Sequence, residues 1–454
     1  MHSHSIAALL AALALPWTAG AAEKAGPEPI SLDAALKRLD DQSLTLAQAQ
    51  SRADEARAVV RQAMAAFLPT ASAGGSYLRN SAQASLSVNS ILTSVETGLS
   101  QVAHVPVHLD RSGVPADTVI QPLESFSGSA GVRVPLFAGN AYWDWEAAQE
   151  SAKAVQASVD AVRLGLRSAL VQSACWSAAA EEVAEASERA LTIAQEHEKA
   201  AARAVEAGNS APLAHLQAQT EVVRRENDVV RTRADRERAW LAVGVILGKA
   251  EPVRVSLPRD PADAPGEAGA LLGEALKRRP ELRSGEASIT AAQKGIDSAW
   301  WRLAPQLSLS FSGFASNVAY PTGDKAGWRA SLDLSWTLYD GGFRYGKKAQ
   351  AEAQLAAARA SLESQKVEVS QQVMDATRDV SVAGERLRLA ERQKELAQAV
   401  FASAKRSFEA GIASSLDVLD ANDRLYQADV GLADARARLG MARASLGRAT
   451  GSLL

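Results

Sequence analysis

The sequence is poor in the residue types from which many enzyme sites are built. Only one of its 454 residues is a cysteine, Cys175, so no disulfide bond can form within the chain, and we expect a small packed residue there. Aromatic residues make up 5% of the chain while alanine is abundant, which favours long helices. The formal net charge is −3, so we expect no nucleic-acid partner. No nucleotide loop, catalytic-triad spacing or Cys/His cluster appears, so we expect neither an enzyme nor a cofactor.

Long apolar runs are also missing beyond the N-terminus. Residues 6–15 form a short apolar run that is followed by small residues at 18–22, as in a cleavable secretory signal. The run is too short for a membrane-spanning helix, which needs about 20 apolar residues. We therefore expect export with a signal peptide at 1–22, and no N-terminal lipid anchor because no cysteine follows. If such a chain spans a membrane, it must do so as a closed β-barrel.

The most informative pattern is an internal duplication. Residues 68–69 correspond to 304–305 at an offset of 236, and residues 136–139 correspond to 338–341 at an offset of 202. The first half therefore has about 34 extra residues between these two points (236 minus 202). A proline-rich stretch then separates the halves. The predicted domains are a signal peptide, a first repeat, a linker and a second repeat, at 1–22, 23–250, 251–268 and 269–454.

Each half contains two segments with the periodicity of β-strands. In the second half, apolar and polar residues alternate over 304–315 and 328–339, which gives each strand one apolar face. Corresponding strands are predicted over 69–79 and 125–137. A half-buried sheet of a water-soluble protein would show the same alternation. The aromatic residues near the strand ends favour a membrane interface; they are Trp300, Trp301, Trp328, Trp336 and Tyr339.

Very long helical segments follow the strands. Hairpins are predicted over about 140–249 and 344–450, and each outgoing helix of about 67 residues would be about 100 Å long. Each outgoing helix ends at an Ala-Gly pair, a plausible left-handed cap. Single helices over about 31–66 and 269–302 are predicted to precede the strands. A returning helix and one of these single helices, stacked end to end, together match the length of an outgoing helix.

Four strands and four helical columns in one chain lead to a prediction about assembly. Four strands cannot close a barrel, and open strand edges are not tolerated in lipid. Three copies in a ring would supply 12 strands and 12 columns. The predicted fold is mainly α with a transmembrane β part. Its duplicated strand pairs and long helical hairpins form, in a trimer, a 12-stranded β-barrel continued by a periplasmic α-helical barrel.

Short motifs of the second half occur in a distinctive order. They read RPEL, LAPQL, LYDGG, FEAG, LDVLDA and LY, at 279–282, 303–307, 338–342, 408–411, 416–421 and 425–426. With the duplication, they make nearly the whole mature chain resemble the TolC-like outer-membrane efflux and secretion factors. The resemblance implies a homotrimer in the outer-membrane lipid of a Gram-negative bacterium, with its helices in the periplasm. It also implies a periplasmic adaptor protein as partner, which joins the channel to an inner-membrane pump.

The resemblance further implies where a gate would lie. By match to the family motif, Asp417 and Asp420, just after the second hairpin turn, are the candidate pore gate, with three copies of each facing the axis. A simpler hypothesis is that both carboxylates only complement the start of a helix. The first repeat has Ala214 where the second has Asp417, so its turn is less acidic. Ala413 stands where some relatives carry arginine, which removes one tethering contact.

Two pairs of residues are the candidate adaptor-docking points at the periplasmic tip. They are Val205 with Gly208 in the first repeat and Phe408 with Gly411 in the second. The glycines could also serve only to end helices.

Other functions would require different features in the sequence. His104, His108 and Asp110 could suggest a metal site, but Pro106 breaks helical spacing there and the segment lies in a predicted surface loop between the first two strands, so we predict no metal. A periplasmic adaptor would carry one hairpin between β-rich segments, and a structural coiled coil would lack the strands. Within the channel hypothesis, the cargo could be a drug, a metal or a protein secreted in one step.

Overall fold

The computed structural model describes residues 27–112, 118–208, 210–257, 266–319 and 323–452. The predicted signal peptide lies outside these ranges, as does part of the predicted linker. Along the described ranges the elements follow one another as β1 (Ile30–Ser31), α1 (Leu32–Gln42), α2 (Leu44–Ala65), β2 (Thr70–Arg79), β3 (Ala84–Leu86), α3 (Val88–Ala103), β4 (Thr118–Gln121), β5 (Glu124–Phe137), α4 (Gly139–Glu206), α5 (Pro212–Ile246), β6 (Val255–Ser256), α6 (Ala268–Arg278), α7 (Pro280–Trp301), β7 (Gln306–Ser316), β8 (Ala326–Ser335), α8 (Phe343–Glu409) and α9 (Ser415–Thr450).

Two helices are far longer than the rest. Helix α4 has 68 residues and α8 has 67, and both are rich in alanine and free of internal proline. Helix α9 returns over 36 residues and α5 over 35. Among the described residues, none of the helices combines the length and the apolar character needed to cross a membrane.

The helices that precede the strands are each broken, where the sequence predicts continuous ones. Between α1 and α2, Ser43 takes an extended conformation and its hydroxyl accepts a bond from the N–H of Leu46. Between α6 and α7, Arg279 is extended because the following Pro280 disfavours the helical conformation of its predecessor. Both breaks therefore have local causes, a capping serine and a proline.

The described residues divide into two compact units, and those of the first fall within Met1–Ala47, Val162–Arg279 and Val369–Leu454. One apolar cluster of this unit joins α1, α4 and α5 through Leu39, Leu170 and Val243, and includes Val255 of β6. Strand β6 pairs in parallel with β1, a pairing that the sequence did not predict. Helices α4 and α9 meet through small residues, among them Ala179, Ala433 and Ala437, which let two helices approach closely.

The second unit comprises Gln48–Ala161 and Pro280–Glu368, and a four-stranded antiparallel sheet lies in it. The strand order is β2-β5-β7-β8, so the strand pairs of the two chain halves lie side by side. Strand β8 ends at Ser335, before the predicted 339, and the indole N–H of Trp336 donates to the carbonyl of Leu303 at 3.1 Å. The connection between β2 and β5, predicted as a loop, contains α3 and a small β3–β4 pair.

The register gives the sheet one apolar and one polar face. Cross-strand partners such as Tyr77 with Phe126, and Leu309 with Leu332, share a face. Apart from the Arg79–Glu124 ion pair at one end of the sheet, the residues that follow this alternation on the same face are apolar: Ala71, Ala73, Gly75, Tyr77, Phe126, Gly128, Ala130, Val132, Val134, Leu307, Leu309, Phe311, Gly313, Ala315, Ala326, Trp328, Ala330, Leu332 and Leu334. The other face is mostly serine with charged residues, and Ser310 donates to Asp333 there at 3.1 Å. The large apolar side chains are exposed in a single chain, Trp328 by 71% and Leu334 by 70%.

Candidate functional site

The two hairpin turns lie side by side in the first unit, and we call the surrounding residues 193–208, 210–217 and 401–418 the turn region. Each turn is built on a glycine in the left-handed conformation, Gly208 with φ 72° and Gly411 with φ 73°. The N–H of Gly208 donates to the carbonyl of Val205 at 3.0 Å, and that of Gly411 donates to the carbonyl of Phe408 at 2.9 Å. The predicted docking pairs are therefore the hydrogen-bonded ends of α4 and α8.

Asp417 caps the helix that it begins. Its carboxylate accepts bonds from the N–H and the hydroxyl of Ser414, each at 2.7 Å, while the Ser414 hydroxyl accepts from the N–H of Asp417. This reciprocal arrangement is a capping box. The bonds from the Ser414 hydroxyl and then its N–H hold the pKa of Asp417 below its ordinary value. The carboxylate is thus charged at neutral pH. Within one chain, Asp417 complements the start of α9, as the simpler hypothesis predicts.

Asp420 lies one turn further along the same exposed face of α9. Its carboxylate pairs with Arg424 at 2.8 Å, and both side chains are more than half exposed. Asp417 is also exposed. One chain therefore presents both carboxylates to solvent on one side of α9, and their role as a gate stays a prediction.

His197 joins the two hairpins, and the sequence analysis missed it. This α4 residue is 7% exposed, and its Nε2 lies 2.7 Å from the hydroxyl of Ser415 at the start of α9. Its ring also packs edge-on against Phe408 of α8, with centroids 4.9 Å apart. Burial lowers the pKa of His197. In the sequence, His197 stands out only as the single histidine of an alanine-rich helical segment, 11 residues before Gly208.

A cavity of about 1160 Å³ lies between the hairpins in the turn region. Cations from α4 and α8, Lys199 and Lys405, line it together with Phe408. Apolar side chains at the turns remain exposed, Ile412 by 84% and Leu213 by 62%. The turn region thus combines charged groups with unpartnered apolar ones, as a protein-docking surface does.

A buried charge network joins α5 to α9 further from the turns. The guanidinium of Arg225 is fully buried and bonds Glu221 at 2.7 Å and Asp423 of α9 at 2.5 Å. It also lies over the ring of Tyr426, 4.9 Å from the centroid. Because a buried arginine needs its partners, this network fixes α9 against α5.

The histidines considered for a metal site lie near the end of α3. His104 ends the helix in the left-handed conformation, and Asp110 accepts bonds from the N–H and hydroxyl of Ser112. Among the described residues, no group of three or more His, Cys, Asp or Glu side chains gathers in a metal-binding arrangement.

The helical hairpins and the two-faced sheet fit the channel architecture that the sequence motifs predict. The family described as "Outer membrane efflux protein" matches residues 35–249 and 271–452. The chain belongs to this family, whose TolC-like members the sequence motifs resemble. No curated protein sequence matches the chain significantly.

Solved structures show the same fold. The Campylobacter jejuni CmeC outer membrane channel is similar with a TM-score of 0.73 at 16% identity, over 97% of this chain and 90% of that one. The open state of the Neisseria gonorrhoeae MtrE outer membrane channel gives 0.70 at 19%, over 93% and 89%. The outer membrane protein VceC from Vibrio cholerae gives 0.71 at 17%, over 92% and 96%. At such identities these likenesses establish the fold alone.

Proposed function

We propose that three copies of this chain form an exit duct of the outer membrane. The duct receives cargo from an inner-membrane pump through a periplasmic adaptor protein, in a tripartite efflux pump or a one-step secretion system. The predicted signal peptide at 1–22 directs export, and the mature N-terminus carries no lipid. The strands lie in the membrane and the helical hairpins in the periplasm.

The two-faced sheet is the observation that carries this proposal. Its apolar face is exposed in one chain and suits lipid, while its serine-rich face suits a water-filled interior. In the described sheet, β2 and β8 each have one strand neighbour and run in opposite directions. Strand β8 of one copy can therefore pair antiparallel with β2 of the next. Three sheets of four strands then close into a ring without free edges.

The hairpins offer a matching pair of contact surfaces. On α5, Leu216, Val223 and Val230 repeat every seven residues and are 59%, 64% and 69% exposed. On α8, Leu389 and Leu396 do the same, at 58% and 52% exposed. Heptad-spaced apolar residues are typical of helices that pack on other helices. These two sets of exposed apolar residues lie on different helices of one chain, so α5 of one copy can pack on α8 of the next. Such head-to-tail contacts between copies can close into a ring.

The turn region supports a gate and a docking surface. In a ring with α9 toward the axis, three copies of Asp417 and Asp420 would narrow a cation-favouring pore. Val205, Gly208, Phe408 and Gly411 would meet the adaptor, beside exposed apolar residues such as Ile412.

Conductance in planar bilayers tests both the proposed duct and the proposed acidic gate. We compare the wild type with Asp417→Asn plus Asp420→Asn, since asparagine keeps a hydrogen-bond acceptor for Ser414 but removes the charge. The control is Asp434→Asn, because Asp434 pairs with Arg438 on α9 at the same four-residue spacing. We expect a small cation-selective conductance that rises and loses selectivity in the double variant alone.

The other outcomes separate the two parts. A channel whose conductance is the same in all three proteins would retain the duct and reject the acidic gate. Folded trimers that never conduct would reject the duct itself.

A further inference from the structure

Helix α3 is an unusual insertion in the connection between β2 and β5. It lies at the end of the sheet opposite to the strand ends that lead into α4 and α8. In the proposed duct this is the external end. The helix spans 16 residues, about 24 Å, and none of its residues is buried in the part of the chain that the structure describes.

One side of α3 is entirely aliphatic. At 100° per residue, a single arc of about 100° contains Val88, Ile91, Leu92, Val95, Leu99 and Val102. Val95 and Leu99 are each 46% exposed, and Val102 is 81% exposed. Apart from Glu96, the remaining residues of the helix are serine, threonine, asparagine, glutamine, alanine and glycine. We call this aliphatic surface the α3 arc.

The chain itself covers the neighbouring flank of the helix and leaves the arc open. The N–H of Leu109 donates to Glu96 at 2.7 Å, and that of Val107 donates to the hydroxyl of Ser100 at 3.0 Å. Arg111 pairs with Glu96 at 2.6 Å. The single charge of α3 is thereby neutralised, so copies of the helix can approach without electrostatic repulsion.

The composition of α3 favours a second helix over a lipid surface as its cover. Helices that lie on membranes are rich in lysine and arginine on the polar face, which attract anionic lipid headgroups. Helix α3 has none of these residues. Instead, Val88, Val95 and Val102 repeat every seven residues, the spacing of helix-to-helix packing.

Symmetry then decides where the copies meet. A ring contact between neighbours uses two different surfaces of each copy, whereas α3 offers one. Three copies can bury a single arc together only on the threefold axis. Twelve strands about 4.8 Å apart and tilted by about 40° form a cylinder of about 12 Å radius, which a helix of this length can span.

We propose that the α3 arcs of three chains pack against one another on the axis and form a cap that narrows the external mouth of the duct. This inference rests on the proposed trimeric duct.

Disulfide crosslinking through one introduced cysteine, in the full-length protein in liposomes, tests the cap. Cys175 gives little background, because burial raises the pKa of its thiol to about 11. Val95→Cys places a thiol in the arc, and Thr97→Cys places one about 200° around the same helix as the control. We expect oxidation with copper phenanthroline to yield a reducible dimer band for Val95→Cys and none for Thr97→Cys. Oxidised Val95→Cys channels should conduct at least twofold less in bilayers, with recovery after reduction.

Separate readouts distinguish failure of the cap from failure of the duct. Native mass measurement reports the trimer independently. A trimer in which Val95→Cys does not crosslink, or crosslinks no more than Thr97→Cys, would overturn the cap. So would a crosslink without any change in conductance. A spin label at position 95 that is broadened by oxygen in lipid would assign the arc to the membrane surface instead. A protein that is not trimeric overturns the duct.

Discussion

The imidazole of His197 and the hydroxyl of Ser415 lie 2.7 Å apart and join the end of one hairpin to the start of the returning helix of the other. In the same place Phe408 packs on the imidazole ring. One neutral histidine thus links α4, α8 and α9 where the duct is proposed to open. The stability of this region should therefore depend on whether the imidazole of His197 is protonated.

Acidification should weaken the turn region through His197. Burial lowers its pKa below the ordinary 6.5, so its contribution to stability is present above that pH and is lost as the pH falls through the lowered value. We expect the melting temperature to fall between pH 7.5 and pH 5, and to fall less in His197→Gln. His215→Gln, which alters a histidine bonded to Glu198, is the control. Identical pH profiles for His197→Gln and the wild type would contradict the prediction.

Close packing of α4 on α9 should make Gly440 sensitive to a single methyl group. A Cβ built at Gly440 would lie 2.5 Å from the sulfur of Cys175, whereas one at Gly431 of the same helix would meet nothing within 4 Å. We expect Gly440→Ala to destabilise the protein by about 1–3 kcal/mol. Gly431→Ala should be neutral or stabilising by up to about 1 kcal/mol. Thermal unfolding in detergent measures both.

The double variant Gly440→Ala with Cys175→Ala supplies the internal check. Because the smaller side chain removes the clash, it should recover most of the loss. If the two substitutions simply add, the proposed contact is wrong.

Removal of Asp423 should leave the buried Arg225 short of a partner. We expect Asp423→Ala to cost about 2 kcal/mol, since one end of the buried guanidinium loses its acceptor while Glu221 and Asp228 still balance the charge. Arg238→Ala removes an exposed pair with Asp235 and should cost less than about 0.5 kcal/mol. Shifts in the midpoint of guanidinium unfolding compare the two. Equal shifts would mean that the network is no more important than a surface ion pair.

The turn glycines should tolerate asparagine better than alanine. Gly411 has φ 73° and open space around its Cβ position, so a substitution is penalised by backbone conformation alone. We expect Gly411→Ala to cost about 1 kcal/mol locally and to weaken binding of the adaptor, while Gly411→Asn is milder. Co-purification with a periplasmic adaptor protein expressed in the same cells measures the effect. Stronger loss with asparagine would point to a direct contact rather than to the turn.

Much of the fold followed from periodicity. Alternation with a period of two predicts the strands of the second half, and uninterrupted alanine-rich segments predict the long helices of a mainly helical fold. Pairing between distant segments could not be predicted, because β1 and β6 have two residues each and no pattern. Helix α3 was missed since its serines and threonines resemble those of a loop, although its aliphatic spacing was present in the sequence.

The candidate site was predicted only in part. Motif order located Asp417 and Gly411, but the hydrogen bonds of Ser414 that make Asp417 a helix cap depend on turn geometry. His197 and Arg225 act through partners more than 190 residues away in the chain. Contacts between residues so far apart in the chain leave no local pattern in the sequence, so they are found only in the folded structure.

The apolar face of the sheet also affects the chain before it is assembled in the membrane. A newly exported chain would carry that face, with Trp328 and Leu334 uncovered, through an aqueous compartment before any lipid shields it. Large exposed apolar surfaces aggregate in water. We therefore expect biogenesis of the protein to depend on a holding chaperone, and chains refolded without detergent to precipitate while those refolded in micelles stay dispersed.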